Sequence, residues 1–197
     1  MALDVNDVGR ADRIVLRGFD LPGGGWEAVP APMSAAEVVH GDDLLDACLA
    51  GFPDPDVTAS AESARFTREN ALAYSVAWVL SSEAAAEIAL ATLAHERFAT
   101  AFVTGMAAEV DPDTGAATLL GHVAGPVGGI DAADRSAAHR ARLTAADADG
   151  ILSIHLELLA LQEERAVTLV ILADSPDPMS PADVHAVAQR VAGRLSP

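Results

Sequence analysis

The stretch ILSIHLELLALQEERAVTLVILA, residues Ile151 to Ala173, decides the fold. Two apolar runs flank the polar turn QEER, and this pattern predicts a pair of antiparallel strands. Alternation in the first run places His155 and Glu157 on one side with Ser153 and Leu159, while the other side is entirely apolar. The second run is apolar on both sides, so one of its faces must meet another layer, a ligand or a second subunit.

Further strands and helices are predicted outward from this hairpin. Val57–Glu69 and Ala71–Ser81 read as strands paired around Asn70. Shorter strands are expected around Thr118–Val123 and Ala138–Thr144. Helices are predicted after the candidate N-caps Ser34, Ser82 and Ser180: one that ends near Gly51, one long helix up to about Val110, and a terminal helix that begins at Pro181.

Together these elements predict an α+β fold. We expect an antiparallel sheet of about five to six strands with helices packed on one face, closed by the C-terminal helix. No repeat and no long linker divides the chain, so residues 1–197 are predicted to form a single domain. Residues 1–12 are a candidate for disorder.

The composition limits the partners of the chain. Its 197 residues include 29 acids and 12 cations, all of them arginine, for a formal net charge of −17. This charge repels the phosphates of nucleic acids and anionic lipid headgroups, so neither nucleic-acid binding nor membrane insertion is expected. A local group of arginines still suits a small anion.

Cys48 is the single cysteine, which excludes an intrachain disulfide and a cysteine-based metal cluster. No histidine pattern typical of a metal site and no glycine-rich nucleotide motif occurs, so neither a metal nor a cofactor is expected. The N-terminal sequence lacks the apolar core of a signal peptide, and no uncharged apolar run reaches about 18 residues. A cytoplasmic location is predicted, or an extracytoplasmic one if an export segment was removed.

The order of these elements, the DLPGGGW opening at Asp20–Trp26 and the closing AQRVAGRL at Ala188–Leu195 resemble the PsbP-like sensor domains of actinobacteria. Such domains occur outside a family of serine/threonine kinases and in many small lipoproteins. The resemblance covers nearly the whole chain and implies an antiparallel sheet, a groove proposed to bind a ligand, and no catalytic residues. Family members are usually exported or membrane-tethered and commonly carry paired cysteines, whereas this chain has Cys48 alone and no export signal.

Four polar residues are candidate ligand contacts. Arg140 and Arg142 share one side of their predicted strand, as do His155 and Glu157 of theirs. The two arginines suit a bound carboxylate or phosphate, or else a salt-bridge network with the abundant acids, which we favour. The His/Glu pair requires further converging groups before it can bind a metal or exchange protons, so a solvated sheet face is the preferred interpretation.

Tyr74 and Trp78 share one side of a predicted strand and offer flat apolar area, either to a pocket or to the core. If they line one cavity with the four polar residues, the chain is a small enzyme of specialised metabolism. No triad or nucleophile motif supports catalysis, so no catalytic residue is assigned and a non-enzymatic role is favoured.

The uncovered face of the last strand is most simply explained by a second copy of the chain, with Val170, Leu172 and Leu159 at the interface. The leading hypothesis is a non-enzymatic module of sensor-domain type that binds a small-molecule ligand or a protein partner and forms a homodimer. A scaffold protein that assembles through the same face is a further alternative.

Overall fold

A computed structural model describes residues 5–29, 56–109, 118–127, 130–147 and 150–195. The described helices are α1 (Val5–Ile14), α2 (Glu83–Ala94), α3 (Glu96–Glu109) and α4 (Pro181–Ala192). The strands are β1 (Glu27–Val29), β2 (Val57–Glu62), β3 (Arg65–Arg68), β4 (Ala71–Leu80), β5 (Thr118–Val127), β6 (Arg135–Asp147), β7 (Gly150–Glu163) and β8 (Ala166–Asp174). The helix predicted after Ser34, with Cys48, lies outside these residues. None of the helices described has the length and apolarity that a membrane crossing requires.

The eight strands form one antiparallel sheet, and seven of them follow the order β1-β3-β4-β8-β7-β6-β5. The eighth strand, β2, pairs with the second half of β4, whose first half pairs with β3. The α+β class is confirmed, with more strands than the sequence predicted. One extra strand is β1, and another arises because the predicted strand Val57–Glu69 is interrupted at Ser63. There the Ser63 hydroxyl accepts a hydrogen bond from the backbone N–H of Ser75, at 2.8 Å, so the side chain replaces a carbonyl of the ladder.

Helices cover both faces of the sheet, which corrects the prediction that they pack on one face only. On one face, α4 covers the alternate residues of β7 and β8 that include Leu159, Leu161 and Val170. On the opposite face, α2 and α3 cover the intervening residues of β7 and β8, such as Leu158 and Leu169. The two-sided apolar character of β8 therefore reflects two helical layers within one chain.

The long helix predicted after Ser82 is two helices, because His95 has an extended backbone, with φ −72° and ψ 136°. The N–H of His95 donates to the carbonyl of Thr92 at 3.1 Å, which closes α2. The imidazole Nδ1 then accepts from the backbone N–H of Arg97 at 3.1 Å, as an N-cap side chain does for a new helix. Apolar spacing alone misses this break, since both helices place their apolar residues against the same sheet face.

Helix α1 begins at Val5, so residues 5–12 of the stretch named as a candidate for disorder are helical. Asp7 of α1 pairs with Arg165 at 2.9 Å and accepts the Thr58 hydroxyl at 2.6 Å. The hydrogen bond from Thr58 and the charge of Arg165 lower the pKa of Asp7 below its ordinary value, against the opposing effect of burial. This cluster ties α1 to the sheet.

The DLPGGGW segment wraps around the Arg68 side chain. The carbonyl of Pro22 accepts from Arg68 at 3.0 Å and from the indole of Trp26 at 2.9 Å, and the guanidinium lies 4.6 Å from the Trp26 ring. Gly23 has φ +72°, and a Cβ there would lie 2.7 Å from an Arg68 nitrogen. Glycine at this position is therefore a requirement of the loop.

The terminal helix is confirmed as predicted. Ser180 accepts the backbone N–H of Asp183 at 3.1 Å, and Pro181 occupies the first turn. Its buried residues are Val184, Val187, Ala188, Val191 and Ala192. Beyond it, Arg194 binds the fully buried carboxylate of Asp20 through two nitrogens, each at 2.7 Å, so the end of the chain is joined to its beginning.

Candidate functional site

The pairing of β6 with β7 brings the four polar candidates together. Arg140 is the direct partner of Glu157, and Arg142 is the direct partner of His155. Directly opposed residues in an antiparallel pair project to the same face, with Cβ atoms about 5 Å apart. The sequence placed each pair of residues on one side of its own strand. Because β6 and β7 are paired, all four side chains lie on the same face of the sheet.

Glu157 and Arg140 form an ion pair at the edge of the area that α4 covers. The Nε of Arg140 donates to a carboxylate oxygen of Glu157 at 2.6 Å. The Glu157 side chain is 5% exposed and the Arg140 side chain is 48% exposed, so the pair has one buried and one solvated end. Burial raises the pKa of Glu157 above its ordinary value, and Arg140 opposes this effect without cancelling it.

The sheet face is open beyond this pair. Val123 of β5 is the direct partner of Arg142, and Asp174 of β8 is the direct partner of His155, so one row runs from β5 to β8. Val123 is 69% exposed, Arg142 is exposed, and His155 and Asp174 are partly exposed. Helix α4 therefore leaves this end of the face accessible to solvent.

Two glycines of β5 widen the accessible area. Gly125 is the partner of Arg140, and Gly121 is the partner of Thr144, so both belong to the same face. A Cβ added to either would have no heavy atom within 4 Å. On β7, Ile151 projects from this face and is 75% exposed. We call this region the open strip, and it consists of Gly121, Val123, Gly125, Arg142, Ile151 and His155.

Tyr74 and Trp78 lie on the opposite face of the sheet. Their partners on β8 are Ile171 and Val167, and both aromatic rings pack against the core under α2 and α3. The sheet itself separates them from Arg142 and His155. The cavity required by the enzyme hypothesis, with all six residues around it, does not form.

The residues predicted for a dimer interface lie in the core. Val170 and Leu159 are 0% exposed and Leu172 is 1% exposed, and all three pack in the cluster that contains α4. This corrects their assignment, because the chain covers that face with its own terminal helix. The homodimer itself stays a prediction.

The arginines of β6 follow the alternation of the strand. Arg135 forms an ion pair with Glu87 of α2 at 2.5 Å on the opposite face, and Arg140 pairs with Glu157. The pair of Arg140 is of the kind predicted for the internal network, and Arg135 forms another such pair. Arg142 has no carboxylate within 4.0 Å among the side chains that the structure describes.

Sequence reasoning missed the apolar and glycine part of the open strip. Gly121, Val123 and Gly125 occur in a segment rich in small residues, where a strand was predicted only around Thr118–Val123, and Ile151 was not named as a candidate contact. The alternation of glycine and valine on one side of β5 was the available signal, since glycine in a strand often marks close approach of another group.

The chemistry open to this arrangement is binding. One guanidinium, one imidazole and exposed apolar side chains can hold an anion, whereas no group of three metal-binding side chains occurs in the described part of the chain. In its row, His155 lies between Arg142 and Asp174, and Ser153 is its neighbour two residues away on the same side of β7.

Comparisons with known proteins bear on the fold. No model of a protein family matches the chain, and neither does any curated protein. Among solved structures, the crystal structure of the extracellular domain of PknH from Mycobacterium tuberculosis is similar, with a TM-score of 0.52 and 10% sequence identity over 95% of each chain. At this identity the likeness concerns the fold and leaves function to be argued from the site. The chain therefore shares its overall fold with the extracellular domain of a known protein.

Proposed function

We propose that this chain is a non-enzymatic binding module of the sensor-domain type, and that it binds its ligand on the open strip. The observation that carries the proposal is the placement of Arg142 and His155 on an exposed part of the sheet, beside central strands that helices cover on both faces. Exposed apolar side chains beside a charged group are typical of binding surfaces.

The fold supports the sensor-domain type. Its similarity to the extracellular domain of PknH extends over 95% of both chains. The PsbP-like family is proposed on the DLPGGGW opening and the order of the elements. The cytoplasmic location expected from the sequence gains no support from a neighbour that is an extracellular domain.

A thermal-shift screen of small metabolites tests the proposal when it is combined with a variant that fills the open strip. Gly125→Trp places a large side chain where a Cβ meets nothing within 4 Å, so the fold should tolerate it. Gly24→Trp is the matched control, because Gly24 lies in the N-terminal loop and is equally unobstructed.

Compounds that bind the open strip should raise the melting temperature of the wild type and of Gly24→Trp but not of Gly125→Trp, since only the folded, unblocked protein binds them. Compounds that stabilise all three proteins equally would place the binding site elsewhere and contradict the proposal. Turnover of any compound by the wild type would contradict the non-enzymatic part.

A further inference from the structure

The open strip contains an arginine whose charge no described carboxylate neutralises. Arg135 and Arg140, on the same strand, bind Glu87 and Glu157 at 2.5 and 2.6 Å. Arg142 lies between Val123 and His155 in its row and is exposed. Its planar guanidinium can form two parallel hydrogen bonds to a carboxylate, which an ammonium group cannot do.

The charges around Arg142 favour a ligand with a single negative charge. Arg140 is already paired with Glu157, and in the next row His155 lies between Arg142 and the carboxylate of Asp174. These two carboxylates lie in the same two rows as the two arginines, and the whole chain carries a formal net charge of −17. A polyanion such as a nucleotide would be repelled by this surface, whereas a monoanion would meet one guanidinium at short range.

The uncharged part of the open strip suits an apolar body on the ligand. Val123 is 69% exposed directly beside Arg142, and Ile151 is 75% exposed four residues from His155 along β7. At about 3.3 Å per residue, that separation is roughly 13 Å, so a carboxylate held at Arg142 can place a short alkyl chain against Val123, and an extended chain of about ten carbons reaches Ile151. Gly121 lies in the row between them, beside Thr144 and Ser153, and a Cβ there would meet no heavy atom within 4 Å.

We infer that the open strip binds a monovalent organic acid with an apolar chain. Arg142 holds the carboxylate, and Val123 and Ile151 contact the chain. This inference rests on the proposed function and names the ligand class of the same site.

Titration of the isotopically labelled chain with hexanoate, followed by amide chemical shifts, tests the inference. 1-Hexanol, which lacks the charge, and inorganic phosphate, which lacks the chain, serve as comparison probes. Arg142→Gln removes the proposed anion contact, and Arg135→Gln is the matched control on the opposite face of the same strand, where Glu87 occupies the guanidinium.

Hexanoate should move the amide signals of residues 121–125, 140–144 and 151–155 and should bind more tightly than either comparison probe. Arg142→Gln should weaken hexanoate binding by about tenfold or more, the loss typical of a hydrogen-bonded charge, and Arg135→Gln should leave it unchanged. If 1-hexanol moves the same signals as strongly as hexanoate, the open strip remains a binding surface but the carboxylate inference is overturned. If phosphate binds more tightly than hexanoate, or if the shifts fall outside these strands, the inference is overturned as well.

Discussion

The contact between Asp20 and Arg194 should contribute more to stability than the other described ion pairs. Asp20 is fully buried, and its carboxylate accepts two hydrogen bonds from Arg194, each at 2.7 Å, and one from the backbone N–H of Arg17 at 2.7 Å. The guanidinium is 24% exposed and therefore keeps part of its hydration. The pair joins the loop after α1 to the end of α4, across 174 residues of sequence.

Arg194→Gln leaves a buried carboxylate with a single strong donor. Removal of one partner from a buried ion pair costs about 3–5 kcal/mol. For a domain of this size, 1 kcal/mol corresponds to about 2–4 °C in melting temperature, so the variant should melt about 6–20 °C below the wild type. Asp20→Asn should cost less, because the cation that it leaves unpaired is partly solvated.

Urea unfolding of the two single variants and the double variant measures both the cost and the coupling between the residues. The double variant should be less destabilised than the sum of the single variants, since neither charge is then left alone. Arg13→Gln is the control: Arg13 is exposed at the end of α1, and its replacement should change the unfolding free energy by about 0.5 kcal/mol or less. An Arg194→Gln variant that loses less than about 1 kcal/mol would refute the view that burial makes this pair critical.

Three further predictions concern the core, the glycine loop and pH. Val170→Glu should unfold the chain, because Val170 is 0% exposed beneath α4. If Val170 lay at an interface, the same change would only dissociate a dimer. A variant that circular dichroism shows to be folded would contradict the expectation. Gly23→Ala should cost about 1–2 kcal/mol in urea unfolding, because φ is +72° and the new Cβ meets Arg68, whereas Gly24→Ala should be close to neutral. Burial raises the pKa of Glu157, so its contribution to stability is present below pH 4.5 and is lost as the pH rises through its folded-state pKa. Glu157→Gln should therefore raise the melting temperature relative to the wild type more at pH 7 than at pH 4, and the opposite order would contradict the sign of the shift.

The strand predictions show how far local pattern reaches. Alternation in β7 correctly placed His155 and Glu157 on one side, and the turn at QEER correctly paired β7 with β8, because a strand's side-chain direction depends on its own backbone alone. The break of the long helix at His95 was not visible in the same way. It depends on a side chain that accepts a hydrogen bond from a backbone group two residues later, which apolar spacing does not report.

The candidate site, too, was predicted only in part. The polar half was found from sequence because His155 and Glu157 are conspicuous in an apolar hairpin and Arg140 and Arg142 share one side of a predicted strand. Tyr74 and Trp78 were wrongly considered as possible neighbours of those residues, because the order of strands in the sheet and the face that each strand presents follow from pairing across the whole chain.

By itself, the sequence determined most of the strands, the terminal helix and its cap, the net negative charge and the sides of β6 and β7 on which the polar residues lie. These properties follow from interactions between residues close in sequence. Only the tertiary structure decided that α4 covers Val170 and Leu172, that Arg194 reaches Asp20, and that Val123 and two glycines of β5 complete the open strip. Each of these depends on contacts between distant segments, where packing and the pairing of buried charges select one arrangement from many that local pattern allows.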